Sequence, residues 1–372
     1  METKRIGAQT LRFSRPPRVE SFANIGAKLE GQGPLADYFD ELSEDSFFGE
    51  KTWEKGEARM QKRVLSRALE KATRRPEELD LIFAGDLLNQ CIGTSFGLRS
   101  FHIPFYGLYG ACSTMGEALS LGAMCVNAGY ADRVLALVSS HYATAEKQFR
   151  FPLGYGNQRA QSATWTVTGC GAVVLESGSE MKREGACSEK NSETAMKQAE
   201  TGGNGMGRKN HRFRVAVTGI TTGKLVDMGT KDSMNMGAAM APAAWNTICQ
   251  NFEDFGVGAS YYDRIITGDL GAVGQKALLD FMKSSGHDIT GKHMDCGLEI
   301  YDRGEQDVHS GGSGCGCSAV TLCAHILPKL MRGEWNRVLF VHTGALLSTV
   351  SYNEGQSIPG IAHAVMLERM EV

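Results

Sequence analysis

Neither charge sign is in excess in this 372-residue chain: Lys+Arg total 39 against Asp+Glu 42, a formal charge of -3. That balance supplies no basic stripe for nucleic acid and no polybasic run for anionic lipid. No apolar run approaches the roughly 20 residues that a helix needs to span bilayer hydrocarbon. The first residues, Met1 to Arg18, hold charges and a Pro16-Pro17 pair but no apolar signal core. A soluble chain without signal peptide or transmembrane segment is expected, able to dock peripherally on a membrane complex. Zinc-knuckle CxxC spacing is missing too. The nearest approach is Cys315-Gly316-Cys317, with Cys323 beyond it and His309 upstream, which reads as small thiols lining a tight turn. No metal site and no cofactor is expected. The partner is a small molecule or a protein.

Cysteine itself is plentiful. Ten are spread through apolar or Gly-rich sequence, from Cys91, Cys112 and Cys125 to Cys323, the usage of a reducing compartment. Apolar periodicity predicts a helix over Glu57 to Ala72, then a strand, Leu79 to Ala84, entering the turn Gly85-Asp86-Leu87. A second helix follows over Ser113 to Asn127, and a β-rich run over Arg133 to Ser139. Helices alternating with short apolar strands predict an α/β fold, its sheet mostly parallel and covered on both faces.

The same order of elements recurs. Asp80-Leu-Ile-Phe-Ala-Gly85-Asp86-Leu87 matches Asp263-Arg-Ile-Ile-Thr-Gly268-Asp269-Leu270 at the first Asp, the Ile, the Gly-Asp and the Leu. Further on, Gly129 to Val138 matches Gly333 to His342. Two such matches in one order predict two homologous halves, 1–180 and 213–372, with a ligand pocket at their interface beyond the strands' carboxyl ends. Between them 181–212 is polar, without apolar period, and reads as a surface insertion or mobile loop. Asp86 and Asp269 fall in equivalent turns and read as loop-capping aspartates in preference to calcium ligands.

The segment Gly107-Leu-Tyr109-Gly110-Ala111-Cys112-Ser113-Thr114-Met115-Gly116-Glu117 sets one cysteine between Gly-punctuated backbone and a helix of small residues. Ser113 is a plausible N-cap, and the helix start is expected to lower the thiol's pKa and favour thiolate. Gly110-Ala111-Cys112-Ser113 followed by that helix resembles the nucleophile segment of the thiolase and ketoacyl synthase superfamily. Thr168-Gly169-Cys170-Gly171-Ala172-Val173-Val174-Leu175 resembles that superfamily's Gly-rich turn and the strand closing its first half. The likeness runs from about Ile6 to Val372 with 181–212 inserted, and implies two αβα halves packed as α-β-α-β-α layers. Within the superfamily, the runs Ser140 to Arg159 and Met234 to Trp245 closely resemble the stage V sporulation protein AD family.

Several residues depart from the enzyme pattern. Condensation needs a base or proton shuttle and donors for the thioester oxygen. Where the resemblance places a His or Asn after the Ile265-Ile266 strand, this chain has Gly268-Asp269. In the Gly-rich loop Gly312 to Ser318 the corresponding position is Ser313, a weaker donor. His342 is then the remaining candidate proton carrier, with His309 reaching in only if the alignment slips. The family resemblance therefore implies a non-catalytic binding protein. Its ligand is dipicolinic acid or the calcium chelate, taken up by the developing spore and released on germination. Partner membrane proteins belong to the same sporulation channel system, with peripheral association at the spore inner membrane. Helix-start amides at Ser113 and Thr114 are expected to meet one carboxylate, and His141, Arg150 and Arg159 the other, with Cys112 and Ser313 in the pocket wall. The resemblance also implies a homodimer through the strand after the nucleophile helix. The alternatives are an acyltransferase using Cys112 as nucleophile and a scaffold with a vestigial pocket.

Overall fold

The computed structural model describes residues 4–149, 158–178 and 213–371. The 181–212 insertion and Arg150 lie outside the described residues. Five principal strands build the first half: β1 (Arg18–Ala27), β2 (Leu81–Gly85), β3 (Phe105–Leu108), β4 (Arg133–Ser140) and β5 (Gly169–Glu176). Five more build the second: β6 (Phe213–Thr221), β7 (Arg264–Thr267), β8 (His293–Asp295), β9 (Arg337–Ala345) and β10 (Gly360–Glu371). Their spatial order is β3-β2-β4-β5-β1-β6-β10-β9-β7-β8. Each half repeats the other outward from the β1·β6 seam, as the sequence repeat requires.

The repeated aspartates show the duplication at atomic level. Asp80 Oδ2 accepts the amides of Asp132 and Arg133, at 2.8 and 3.0 Å, at the entry to β4. Asp263 Oδ2 accepts those of Asn336 and Arg337, at 2.6 and 2.9 Å, at the entry to β9. The sheet is mixed, not mostly parallel. Strand β2 runs parallel to β3 and β4, and β7 to β8 and β9, while the other neighbours pair antiparallel. Apolar runs report burial of both faces, and a mixed sheet covered by helices produces the same runs. The halves also exchange chain: the hairpin of Lys4–Ile6 and Thr10–Arg12, N-terminal in sequence, pairs onto β6 of the second half.

Five helices position the site: α1 (Trp53–Ala72), α2 (Thr114–Ala128), α3 (Tyr142–Phe149), α4 (Met236–Phe255) and α5 (Cys315–Thr321). The Thr52 hydroxyl caps α1 by accepting the Lys55 amide, and Met60, Val64, Leu65, Ala68 and Leu69 form its buried stripe. That stripe covers the outer face of β1, β4 and β5, as α4 covers β9 and β10. Helices α2 and α5 lie between the halves. The first packs on β2 and β4 on one side and on β9 and β10 on the other, and the second packs on β4 and β5 across the interface. The result is α-β-α-β-α layering. A central helix touching sheet on both sides needs small residues, and α2 has them: a Cβ on Gly116 would stand 2.7 Å from His342 Cβ.

Candidate functional site

Cys112 tops a tight turn between β3 and α2. Ala111 before it adopts φ 50°, a left-handed conformation that costs a residue bearing Cβ roughly 1–2 kcal/mol. Local hydrogen bonds hold the strain. The Ser113 hydroxyl donates to Gly110 O at 2.7 Å, the Thr114 hydroxyl to Ala111 O at 2.7 Å, and the Gly110 amide to Thr114 Oγ1 at 3.1 Å. The amides of Ser113 and Thr114 return to the carbonyls of Gly110 and Ala111. From the far half, β9 presses on the turn at Gly344, where a Cβ would lie 2.6 Å from Gly110 O.

Two sequence expectations are corrected here. Ser113 stands at the N-cap position without a side-chain capping bond, and Ser113 and Thr114 are fully buried with hydroxyls and amides engaged inside the turn. They build the elbow and do not line the pocket. Nor is Cys112 a ready thiolate. Burial pushes its pKa well above the ordinary thiol value, and the neighbouring Asp269 carboxylate raises it further, against the lowering effect of the Gly314 and Cys112 amides.

Asp269 is the centre of the site. Its Oδ2 accepts the Gly314 amide at 2.9 Å and its Oδ1 the Thr343 hydroxyl at 2.8 Å. Burial raises its pKa to about 7, against the lowering effect of the Cys112, Thr343 and Gly314 hydrogen bonds. The cavity beside it holds about 60 Å³, several times the ~10–15 Å³ that admits one water. Its apolar wall includes Leu87, Phe149, Met236 and Leu347, and its polar wall Asp269, Glu146, Thr164, Thr166 and Ser313. A two-strand parallel pairing, Gly312–Ser313 with Trp165–Thr166, sets Ser313 opposite Thr166. No lysine, arginine or histidine lines this pocket among the described residues.

The other expected residues lie elsewhere. Gly268 faces Thr343, where a Cβ would meet its amide at 3.0 Å; the residue presented to Cys112 is Asp269. His342 is fully buried behind Gly116, its ring tilted against Phe340 with centroids 4.0 Å apart. Neither ring nitrogen makes a well-formed hydrogen bond, and burial drops its pKa to about 3. It lines no part of the Cys112 pocket and cannot serve as its proton carrier. His309 pairs with Asp307 at 3.0 Å and with Ala160 O at 2.8 Å. The Arg159 guanidinium donates to Asp307 O at 2.7 Å and lies 4.6 Å over the Trp165 ring.

His141 lines a second cavity of about 500 Å³, together with Lys28, Trp53, Tyr142, Lys147 and Trp165. Its Nε2 donates to Ser46 O at 2.7 Å and its Nδ1 accepts the Ala143 amide at 3.2 Å, which fixes a neutral tautomer. Burial lowers its pKa. Glu146 borders both cavities. Sequence reasoning did not single out Glu146, Ala145 or Phe149, although their spacing of three and four residues puts them on one helix face. Asp86, the counterpart of Asp269, accepts the amides of Leu88 and Thr94 at 2.8 and 2.7 Å within its own loop. The neighbouring thiols are packed, each against a different carbonyl: Cys315 against Ser139, Cys317 against Gly268 and Cys323 against Ala172.

Comparison with known proteins agrees with this architecture. A family model described as stage V sporulation protein AD matches residues 7–368. The stage V sporulation protein AD of Bacillus subtilis (strain 168) is 40% identical over 366 residues, 98% of each chain. Among solved structures, a variant of OleA from Xanthomonas campestris aligns with TM-score 0.56 at 13% identity, over 95% of this chain and 97% of that one. The 3-oxoacyl-[acyl-carrier-protein] synthase III of Aquifex aeolicus VF5 aligns with TM-score 0.52 at 13% identity, over 95% and 99%. These structural likenesses show the thiolase-like fold.

Proposed function

The chain belongs to the stage V sporulation protein AD family, and from that premise we propose that it is a sporulation protein that binds dipicolinic acid, alone or as its calcium chelate, without catalysis. One observation carries the non-catalytic part. The cysteine elbow is kept, but the groups meeting it are a carboxylate, Asp269, and a hydroxyl, Ser313. A carboxylate repels a developing oxyanion, and loss of one oxyanion donor typically costs ~10²–10³ in rate. The narrow apolar cavity suits a planar ring, and the hydroxyls of Thr164, Thr166 and Ser313 suit its carboxylate oxygens. On this reading the protein serves uptake into the developing spore and release on germination, in company with membrane proteins of the same system. Among the described residues no helix is long and apolar enough to cross a membrane.

Isothermal titration with dipicolinate and with its calcium chelate tests the reading. Saturable binding that weakens in Cys112→Trp is expected, and absence of heat at millimolar ligand sinks it. The strained elbow with cysteine at its apex is the feature that favours acyl transfer instead. Under that second reading, incubation with acetyl-CoA gives an acetyl adduct on Cys112 by mass; under the first it does not.

A further inference from the structure

We infer that Asp269 is a built-in occupant of the anion position beside Cys112, disfavouring the thiolate and competing with any negatively charged group that enters the pocket. The Gly314 amide, in the pocket wall beside Cys112, donates to Asp269 Oδ2 at 2.9 Å. The Thr343 hydroxyl fixes the other oxygen at 2.8 Å, so the carboxylate is oriented by two donors and presented to the thiol.

Its own turn does not require this arrangement. In the first half Asp86 caps its own loop. In the second half that work falls to Asp295, whose carboxylate accepts the amides of Leu270 and Gly271, at 2.8 and 3.0 Å, and the Thr267 hydroxyl at 2.6 Å. Asp269 is thereby released from the loop and turned across the interface toward Cys112.

The electrostatic surroundings make the carboxylate decisive. Asp269 and Glu146 share the pocket wall with Cys112, the Tyr109 phenol and the Cys315 thiol lie within electrostatic range of it, and Asp295 acts on Asp269 in the same way. Every ionisable group in that set is neutral or negative, so none offsets Asp269. With Asp269 titrating near 7, an anion meets less resistance as the pH falls through neutrality. The consequence for dipicolinate rests on the functional reading above; the effect on the thiol does not.

Two alkylating probes of similar size, neutral iodoacetamide and anionic iodoacetate, separate these effects on the full chain. Adducts at Cys112 are counted by peptide mass mapping. Asp269→Asn keeps the shape and lets the side-chain amide donate to sulfur. The variant is expected to react with iodoacetamide about tenfold faster at pH 8, the effect of about one unit of thiol pKa, and its iodoacetate-to-iodoacetamide ratio is expected to rise severalfold. An unchanged rate overturns the inference. So does a faster rate at a fixed ratio, which marks only a loosened pocket. The native chain supplies a check that does not depend on the variant folding: its ratio should climb as pH is lowered from 9 to 6, and a flat ratio overturns the inference. Titration with dipicolinate at pH 8 distinguishes the two readings. If neither form binds it but the ratio shifts, the ligand assignment falls and the role of Asp269 stands; if binding occurs and the ratio is flat, the reverse holds.

Discussion

His342 is a neutral imidazole sealed between a strand and a helix, and its cost appears on acidification. Its folded-state pKa lies near 3 against an ordinary 6.5. The unfolded chain therefore binds the extra proton first, and stability falls as pH drops from about 6.5 toward 3. At about 1.4 kcal/mol per pKa unit the loss is on the order of a few kcal/mol. His342→Leu, similar in volume, should flatten acid-side stability measured by urea unfolding; an unchanged slope below pH 6 would contradict this account. Glu57 works in the opposite direction. Buried beside Asp86, with the Ser139 and Thr144 hydroxyls on its oxygens at 2.9 and 2.8 Å, it is pushed up to about 8. The folded state then holds its proton longer than the unfolded one, so stability declines as pH rises from about 4.5 to 8. Glu57→Gln should match the native chain near pH 5 and exceed it at pH 9 in the same assay, and equal stability at both values would count against a protonated Glu57. Neither burial could be read from the sequence, where His342 sits at the end of a repeat and Glu57 near a helix start. Cys112 could be read, because its glycine and small-residue context is local. Its partner Asp269 lies in the other half, and only the fold brings the two together.

At the scale of elements, the fit of α2 against β9 depends on one missing methyl group. A Cβ on Gly116 would stand 2.7 Å from His342 Cβ, 2.8 Å from Cγ and 2.9 Å from Nδ1, closer than carbon atoms pack without displacement. Because β9 is clamped between β7 and β10, it has little room to yield. Gly116→Ala should therefore destabilise the fold by about 1–3 kcal/mol, the usual range for overpacking. The double variant Gly116→Ala with His342→Ala should lose less than the sum of the two single changes, since the space opened by one receives the other. Strict additivity in thermal unfolding would show that the two side chains do not meet. Element positions were largely legible: helix α2 spans Thr114–Ala128 against an expected Ser113 to Asn127, and β4 spans Arg133–Ser140 against Arg133 to Ser139. Strand direction was not, because an apolar run is the same read either way along a sheet. Helix α3 shows a further limit. Its run is family-specific, yet the described residues of it that wall the pocket are Ala145, Glu146 and Phe149, apart from His141 and Arg159, which charge suggested.

At the scale of the whole molecule, the duplication was legible because aspartates that latch neighbouring strands must be kept in both halves, as Asp80 and Asp263 are. What the repeat could not give is which strand edges stay open once both halves are packed. The strand after the nucleophile helix, β4, has β2 on one edge and β5 on the other, so a second copy cannot add to it. Among the described residues the path of strands ends at β3 in the first half and at β8 in the second. Strand β3 carries aromatic residues at its open edge, with Phe105 37% and Tyr106 60% exposed and Tyr109 just beyond at 44%. Unpaired backbone beside exposed aromatic surface is a template for another strand, and two β3 strands meeting across a twofold axis would extend one sheet through both copies. We propose that the expected homodimer would form through β3. Tyr106→Lys should shift the molar mass by sedimentation velocity from dimer toward monomer at micromolar concentration. Tyr130→Lys, altering a side chain 85% exposed away from that edge, should leave it unchanged. A native chain that sediments as a monomer across that range would remove the dimer, and equal dissociation by both variants would move it off β3.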